Sequence, residues 1–163
     1  MHKLAAGEVS VDTTVIVDFH LAGRLALFGE LFSGRLLISD LVVRELTEAN
    51  IQLSGAQTVT LSTSAEWDFL GNVRRRRPGL GIGEVSAITV ACFRGATLLT
   101  NDRQARESAE EFKLPVCGVL DVLEYATATA RLSAPISANT DFDEGPMLGI
   151  SKLPGEAGSE PFR

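Results

Sequence analysis

Apolar and polar positions along the chain follow two periods. Short apolar runs bounded by polar or turn residues are expected as buried strands, and stripes at i, i+3/i+4 and i+7 as helices. Val15-Ile16-Val17, behind Thr13-Thr14, is expected as the first strand, with Asp18 at its end. Residues 20–32 carry Leu21, Leu25 and Phe28 on one face and are expected as a helix. Residues 35–39 are strand-like, residues 40–50 are helical through Val42, Leu46 and Ala49, and residues 59–62 form a short strand. Ser64 is placed to N-cap a helix over residues 65–73. The second half repeats the rhythm: a helix over 83–94 with Val85, Ile88 and Cys92 on one stripe, a strand over 96–100, a charged helix over 103–112, a strand over 115–119 and a helix over 120–131. Strands that alternate with helices imply crossovers and a parallel sheet covered on both faces, an α/β fold. From Ser133 onward the pattern fails, and Pro135, Pro146, Pro154 and Pro161 with Gly145, Gly149, Gly155 and Gly158 mark an irregular tail.

A length of 163 residues, 45% of them hydrophobic and 22% charged, suits one domain with a real core. No stretch approaches the ~18 apolar residues that cross a bilayer. Residues 1–10 contain no apolar segment of the export type, so the expected location is the cytoplasm and no membrane is involved. Cys92 and Cys117 are too few for a disulfide framework and lack metal-ligand spacing; both are expected as small core residues. The net charge of −6 argues against a broad electrostatic grip on nucleic acid. It leaves room for an acidic cluster that recruits cations and so restores positive charge locally.

The candidate chemistry lies in four acids. Asp18 ends the most apolar predicted strand, and Asp102 stands in the same position after Thr97-Leu98-Leu99-Thr100. In open α/β sheets the C-terminal strand ends line the ligand crevice; an Asp there also serves as a helix N-cap. Glu84 opens a helix after Gly79-Leu80-Gly81-Ile82-Gly83, on the face of Ala87, Ile88 and Ala91, and Glu45 sits mid-helix beside Val42, Leu46 and Ala49. The glycine run matches neither phosphate-loop nor dinucleotide spacing. No Ser/His/Asp set competes: His20 is expected to be structural, and His2 lies near the terminus. Carboxylates gathered at one sheet edge repel unless a divalent cation sits between them, and hard oxygen ligands suit Mg²⁺ or Mn²⁺. Such a site activates water and stabilises the charge of a phosphodiester transition state.

In these segments the chain resembles a PIN-domain ribonuclease, of the kind that includes VapC-type toxins. The resemblance rests on Val15-Ile16-Val17-Asp18, Val43-Arg44-Glu45-Leu46, Gly81-Ile82-Gly83-Glu84 with Ala87 and Ala91, Leu98-Leu99-Thr100-Asn101-Asp102, and Ala105-Arg106. It extends over residues 11–131, the expected nuclease domain, and leaves residues 132–163 as a Pro/Gly-rich tail. It implies a three-layer α/β/α sandwich with a central parallel sheet and Mg²⁺- or Mn²⁺-dependent endoribonuclease activity. It further implies a role as the toxin of a toxin–antitoxin pair, a small antitoxin partner and a homodimer. Asp18, Glu45, Glu84 and Asp102 would form the acidic pocket, with Asp18, Glu84 and Asp102 on the metal. Asn101 or Thr100 would hold a water or an acid at the substrate. Arg74-Arg75-Arg76-Arg77 stands ahead of Pro78 and the glycine run. It is a solvated helix end, a dock for an acidic antitoxin segment or, as the substrate-binding candidate, a grip on RNA phosphates. Two other readings remain: a non-catalytic PIN-like module that binds RNA or a protein partner, and a phosphohydrolase on small substrates, which the lack of a phosphate cradle disfavours.

Overall fold

The computed structural model describes residues 2–129. The expected tail over 132–163, and the end of the last predicted helix, lie outside the described residues. The first strand is β1, Val9–Val11, not residues 15–17. It is followed by α1 (Thr13–Leu21), α2 (Leu25–Leu31), β2 (Leu36–Ser39), α3 (Asp40–Glu48), β3 (Ala56–Val59) and α4 (Ser64–Arg76). Then come α5 (Ile82–Arg94), β4 (Thr97–Leu99), α6 (Arg103–Glu111), β5 (Val116–Cys117) and α7 (Val119–Ala128). The five strands form one sheet in the order β3-β2-β1-β4-β5. Every pairing is parallel, with Val11 opposite Leu99 and Leu99 opposite Cys117.

The sheet divides the core in two. Val9, Val11, Leu36, Ile38 and Leu99 face a cluster with α1, α2 and α7, in which Phe19, Phe28 and Phe32 are fully enclosed. Leu37 and Leu98, one residue out of phase, face a second cluster with α4, α5 and α6. This period-two split of single strands is what a sheet buried on both faces requires. The result is the three-layer α/β/α sandwich. No helix among the described residues is long and apolar enough to cross a membrane.

Three expectations about the elements change. Val15-Ile16-Val17 is helical because Asp12 ends β1 and caps α1, its Oδ1 accepting from the Val15 amide at 3.0 Å. Val15, Ile16 and Phe19 then share the buried face, and this packing overrides the weak strand preference of β-branched residues. The helix expected over 20–32 is two helices, broken at Gly23, whose φ of +70° is a left-handed conformation that favours glycine. The strand expected over 59–62 lies earlier, at Ala56–Val59, and Thr63 rather than Ser64 caps α4. β3 is the sheet edge with Gln57 and Thr58 exposed, so burial leaves little hydrophobic signal in it.

Because all strands are parallel, their C-terminal ends share one edge. β1 sits between β2 and β4, and the chain runs outward from β1 on one side before crossing to the other. The crevice of such a sheet lies at this change of direction. Asp12 follows β1 there, and Thr100-Asn101-Asp102 follows β4.

Candidate active site

Asp12 is 1% exposed and has both carboxylate oxygens engaged. Oδ1 accepts from the Val15 amide, and Oδ2 accepts from the Thr100 hydroxyl at 2.7 Å. Burial pushes its pKa up from 3.8 to about 7; the two hydrogen bonds oppose this, and the nearby charges of Glu84 and Asp102 add to it. Thr100 Oγ1 also accepts from the Asp102 amide at 3.1 Å, so one hydroxyl ties the ends of β1 and β4 together. Asp102 N-caps α6, its Oδ1 accepting from Ala105 N at 2.9 Å, and still faces Asp12 and Glu84. The capping and clustering roles of this Asp are therefore compatible.

Glu84 stands in the first turn of α5 and its Oε1 accepts from the Gly81 amide at 2.8 Å. Its pKa is raised, first by burial and then by the charges of Asp102 and Glu45 and by a side-chain hydrogen bond with Asp102, against the lowering effect of Gly81. Glu45, on α3, accepts from the Thr13 hydroxyl and lies directly against Gly83 of α5. A β-carbon at Gly83 would collide with the Glu45 carboxylate and come within 2.9 Å of Thr13 Oγ1. Helix α5 thus brings Glu84 into the site and, through one glycine, lets Glu45 approach from α3.

Beside the acids, Asn101 bridges to the neighbouring elements. Its Oδ1 accepts from the Val119 amide at 3.1 Å, and its side chain hydrogen-bonds Asp18 of α1. A cleft of about 430 Å³ opens on Asp102 and is lined by Arg77, Arg103, Gln104 and Glu107.

The sequence profile of the PIN domain matches residues 8–137. The chain belongs to the PIN-domain family. Among solved structures it is similar to the crystal structure of PAE2754 from Pyrobaculum aerophilum. The two share 22% identity over 75% of this chain and 98% of that one, with a TM-score of 0.50. At that identity the likeness speaks for the fold. No match is found among curated proteins. PIN domains are commonly nucleases and typically use divalent metals.

Against this PIN-domain frame, the acid at the end of the first strand is Asp12, and Asp18 loses that position. Asp18 lies on α1, half-buried and hydrogen-bonded to Asn101, with a pKa raised by burial to about 6. It stands on the helix side of the acid group, and its charge is not among those that raise the pKa of Asp12 or Glu84. Glu45, Glu84 and Asp102 are brought to one edge together with Asp12. The signal for Asp12 was present in Val9-Ser10-Val11, an alternating run followed by Asp-Thr-Thr, a strand followed by a helix cap. Thr13, which orients Glu45, was missed with it. The arginine run is also placed differently. Arg76 pairs with Glu111 at 3.0 Å, Arg77 pairs with Glu107 at 3.0 Å and Glu111 at 2.8 Å, and Arg75 is held by Asn72. The Arg76 and Arg77 pairs strap the end of α4 to α6. Arg74 is exposed with no ion pair among the described residues, and of the four only Arg77 also lines the cleft at Asp102.

The buried acids carry a pH dependence. With a folded pKa of about 7 against an ordinary 3.8, folded Asp12 keeps a proton that the unfolded chain has released. The contribution of Asp12 to the stability of the metal-free PIN domain is therefore greatest below about pH 4, is lost as pH rises through about 7, and levels off above. The raised values of Asp18 and Glu84 act in the same direction. Each unit is worth about 1.4 kcal/mol for a fully buried group, and 1 kcal/mol moves the Tm of a domain this size by about 2–4 °C. Thermal melts in a metal chelator should show a Tm several degrees higher at pH 5 than at pH 8. A Tm that rises across that range would contradict the burial of Asp12.

Proposed function

We propose that the chain is a divalent-cation-dependent endoribonuclease whose acidic pocket is Asp12, Glu45, Glu84 and Asp102. The observation that carries this reading is the gathering of Glu84, Asp102 and Glu45 around the buried Asp12 at the crevice of the sheet, with Thr100 tying Asp12 to the Asp102 amide and Gly83 letting Glu45 approach. Acids crowded in this way repel one another, and a divalent cation between them would relieve that repulsion. The donor set is all oxygen, which suits Mg²⁺ or Mn²⁺. Among the described residues, no three His, Cys, Asp or Glu side chains are already posed as a metal cage. Asp12, Glu84 and Asp102 would hold the ion after small side-chain movements. A cation bound there would polarise the scissile phosphate and generate hydroxide from water near neutral pH.

The protein's own residues supply the positioning. Thr100 fixes Asp12 and Asp102 relative to one another, and the β4 end cannot shift without moving both. Thr13 orients Glu45 toward α5, leaving its second oxygen for a water or the ion. Asn101 holds Asp18 and the start of α7 beside the pocket. The cleft at Asp102 provides a path for the substrate strand. We extend the reading to a toxin of a toxin–antitoxin pair that acts on RNA in the cytoplasm, with a small antitoxin as inhibitor and a second copy of the chain as partner. Its support is the resemblance in the motif segments.

The test is cleavage of a mixed RNA pool with Mn²⁺ and with chelator, comparing wild type, Asp12→Asn and Asp18→Asn. We expect metal-dependent cleavage that Asp12→Asn removes. Asp18→Asn should lower it by only about 10-fold, the effect of an outer-shell partner. Equal loss in both variants would return Asp18 to the pocket, and cleavage that persists in chelator would overturn the metal dependence.

A further inference from the structure

The acidic pocket repels the phosphates it is proposed to cut, so the charge that holds the substrate strand must come from elsewhere. The guanidinium groups at the end of α4 and the start of α6 are already neutralised. Arg76, Arg77 and Arg103 are tied to Glu107 and Glu111. Arg106 differs. It is partly buried and has no hydrogen bond or ion pair from its side chain among the described residues. Its position is closely determined. Arg106 lies one helical turn beyond Asp102, and its amide donates to the Asp102 carbonyl at 3.0 Å. Its guanidinium is packed against Gly118, where a β-carbon would collide with Nη2 and come within 2.7 Å of Asn101 Oδ1. Gly118 follows β5, and the Cys117 carbonyl accepts from Thr100 N at 3.0 Å, so this spot is anchored to the β4 end that carries Asp102.

From this placement we infer that Arg106 is a substrate-binding residue, gripping a backbone phosphate of the RNA strand next to the one at the acids. The inference rests on the proposed nuclease reading and deepens it. A partly desolvated guanidinium with no carboxylate partner is costly to keep without an anionic ligand. Its planar fork matches a phosphate in a bidentate manner. Gly118 keeps that fork accessible, because a larger residue would occupy its space. Arg106 stands above β4 and β5, on the side of Asp102 away from β1, while the Arg77–Arg103 cleft opens on Asp102 as well. A strand crossing the acids therefore meets at Arg106 a cation with no carboxylate partner among the described residues, and paired ones at the cleft.

The experiment measures binding of a fluorescent single-stranded RNA oligomer in Mn²⁺ across a salt series, in the Asp12→Asn background so that no cleavage intervenes. Arg106→Gln is expected to raise Kd about tenfold. It should also reduce the slope of log affinity against log salt by about 0.7, the value for one phosphate contact on a single strand. Arg106→Lys should keep the slope and weaken binding less, because the charge remains while the fork is lost. Thermal melts accompany both, and a purely structural role would lower Tm without moving the salt slope. If wild type cleaves RNA and the slope is unchanged in Arg106→Gln, this assignment fails and the nuclease reading stands. If Arg106→Gln does not fold, an Arg106→Lys protein with Kd equal to the parent overturns the assignment. If wild type cleaves no RNA with Mn²⁺, the nuclease reading fails and this assignment fails with it.

Discussion

Asp12→Asn is expected to abolish metal-dependent RNA cleavage, by roughly 100-fold or more, while the protein stays folded. The magnitude follows from the several kcal/mol of charge stabilisation that a bound cation supplies, at about 1.4 kcal/mol per factor of ten. The fold survives because Asn preserves the shape and both contacts. Its carbonyl still accepts from Val15 N, and its amide donates to the Thr100 hydroxyl, which the carboxylate now accepts from. A second consequence separates this from general damage. Asp12 is the fully buried acid with a pKa near 7, so its replacement by a neutral isostere removes most of the fall in stability between pH 5 and pH 8. Single-turnover cleavage and a pH series of melts on one preparation check both. Activity within tenfold of wild type, or a pH dependence unaltered by the substitution, would count against Asp12 as the acid at the head of the pocket.

The second large effect is expected from Gly83→Ala, a substitution that replaces no charged residue. Alanine is favoured over glycine in a helix interior by up to about 1 kcal/mol, so α5 itself is not harmed. The new β-carbon, however, takes the place of the Glu45 carboxylate and crowds Thr13. Glu45 is the flexible member of this contact and must swing away, losing its bond from Thr13. A displacement of about 1 Å in a positioned group costs about 100-fold in rate. We therefore expect loss of cleavage on that scale, with Tm within a few degrees of wild type. Full activity in Gly83→Ala would mean that the position of Glu45 is immaterial. A collapse in Tm would mean that the α3–α5 contact is a stability element first.

Much of the fold was legible because its signals are local. Leu36-Leu37-Ile38, capped by Ser39, reads as a strand entering a helix in sequence and in structure alike. So does Leu98-Leu99 before Thr100-Asn101-Asp102, because burial on both faces and an N-cap leave adjacent marks. The β3 edge was misplaced since its exposed Gln57 and Thr58 carry no hydrophobic period. The error at the first strand has a sharper cause. Val15-Ile16-Val17 is more apolar than Val9-Ser10-Val11, and composition alone favours it as the strand. Ser10 is polar, yet its hydroxyl donates to the Ala87 carbonyl at 2.8 Å and is satisfied beside the buried strand. That bond joins residues 77 positions apart, beyond the reach of any local pattern.

By itself, then, the sequence determined the alternation of elements, the parallel sheet, and the helices that bear Glu45 and Glu84, because periodicity and capping act over a few residues. Tertiary structure alone decided which Asp closes the first strand, since two Asp residues follow apolar runs and only packing against α5 and β4 separates them. It also decided the state of the arginines. Arg76 and Arg77 of the run of four are paired once α4 lies on α6, while Arg106 beside Gly118 has no ion pair among the described residues. Charge pairing depends on distances between elements, and those distances exist only after the layers have packed.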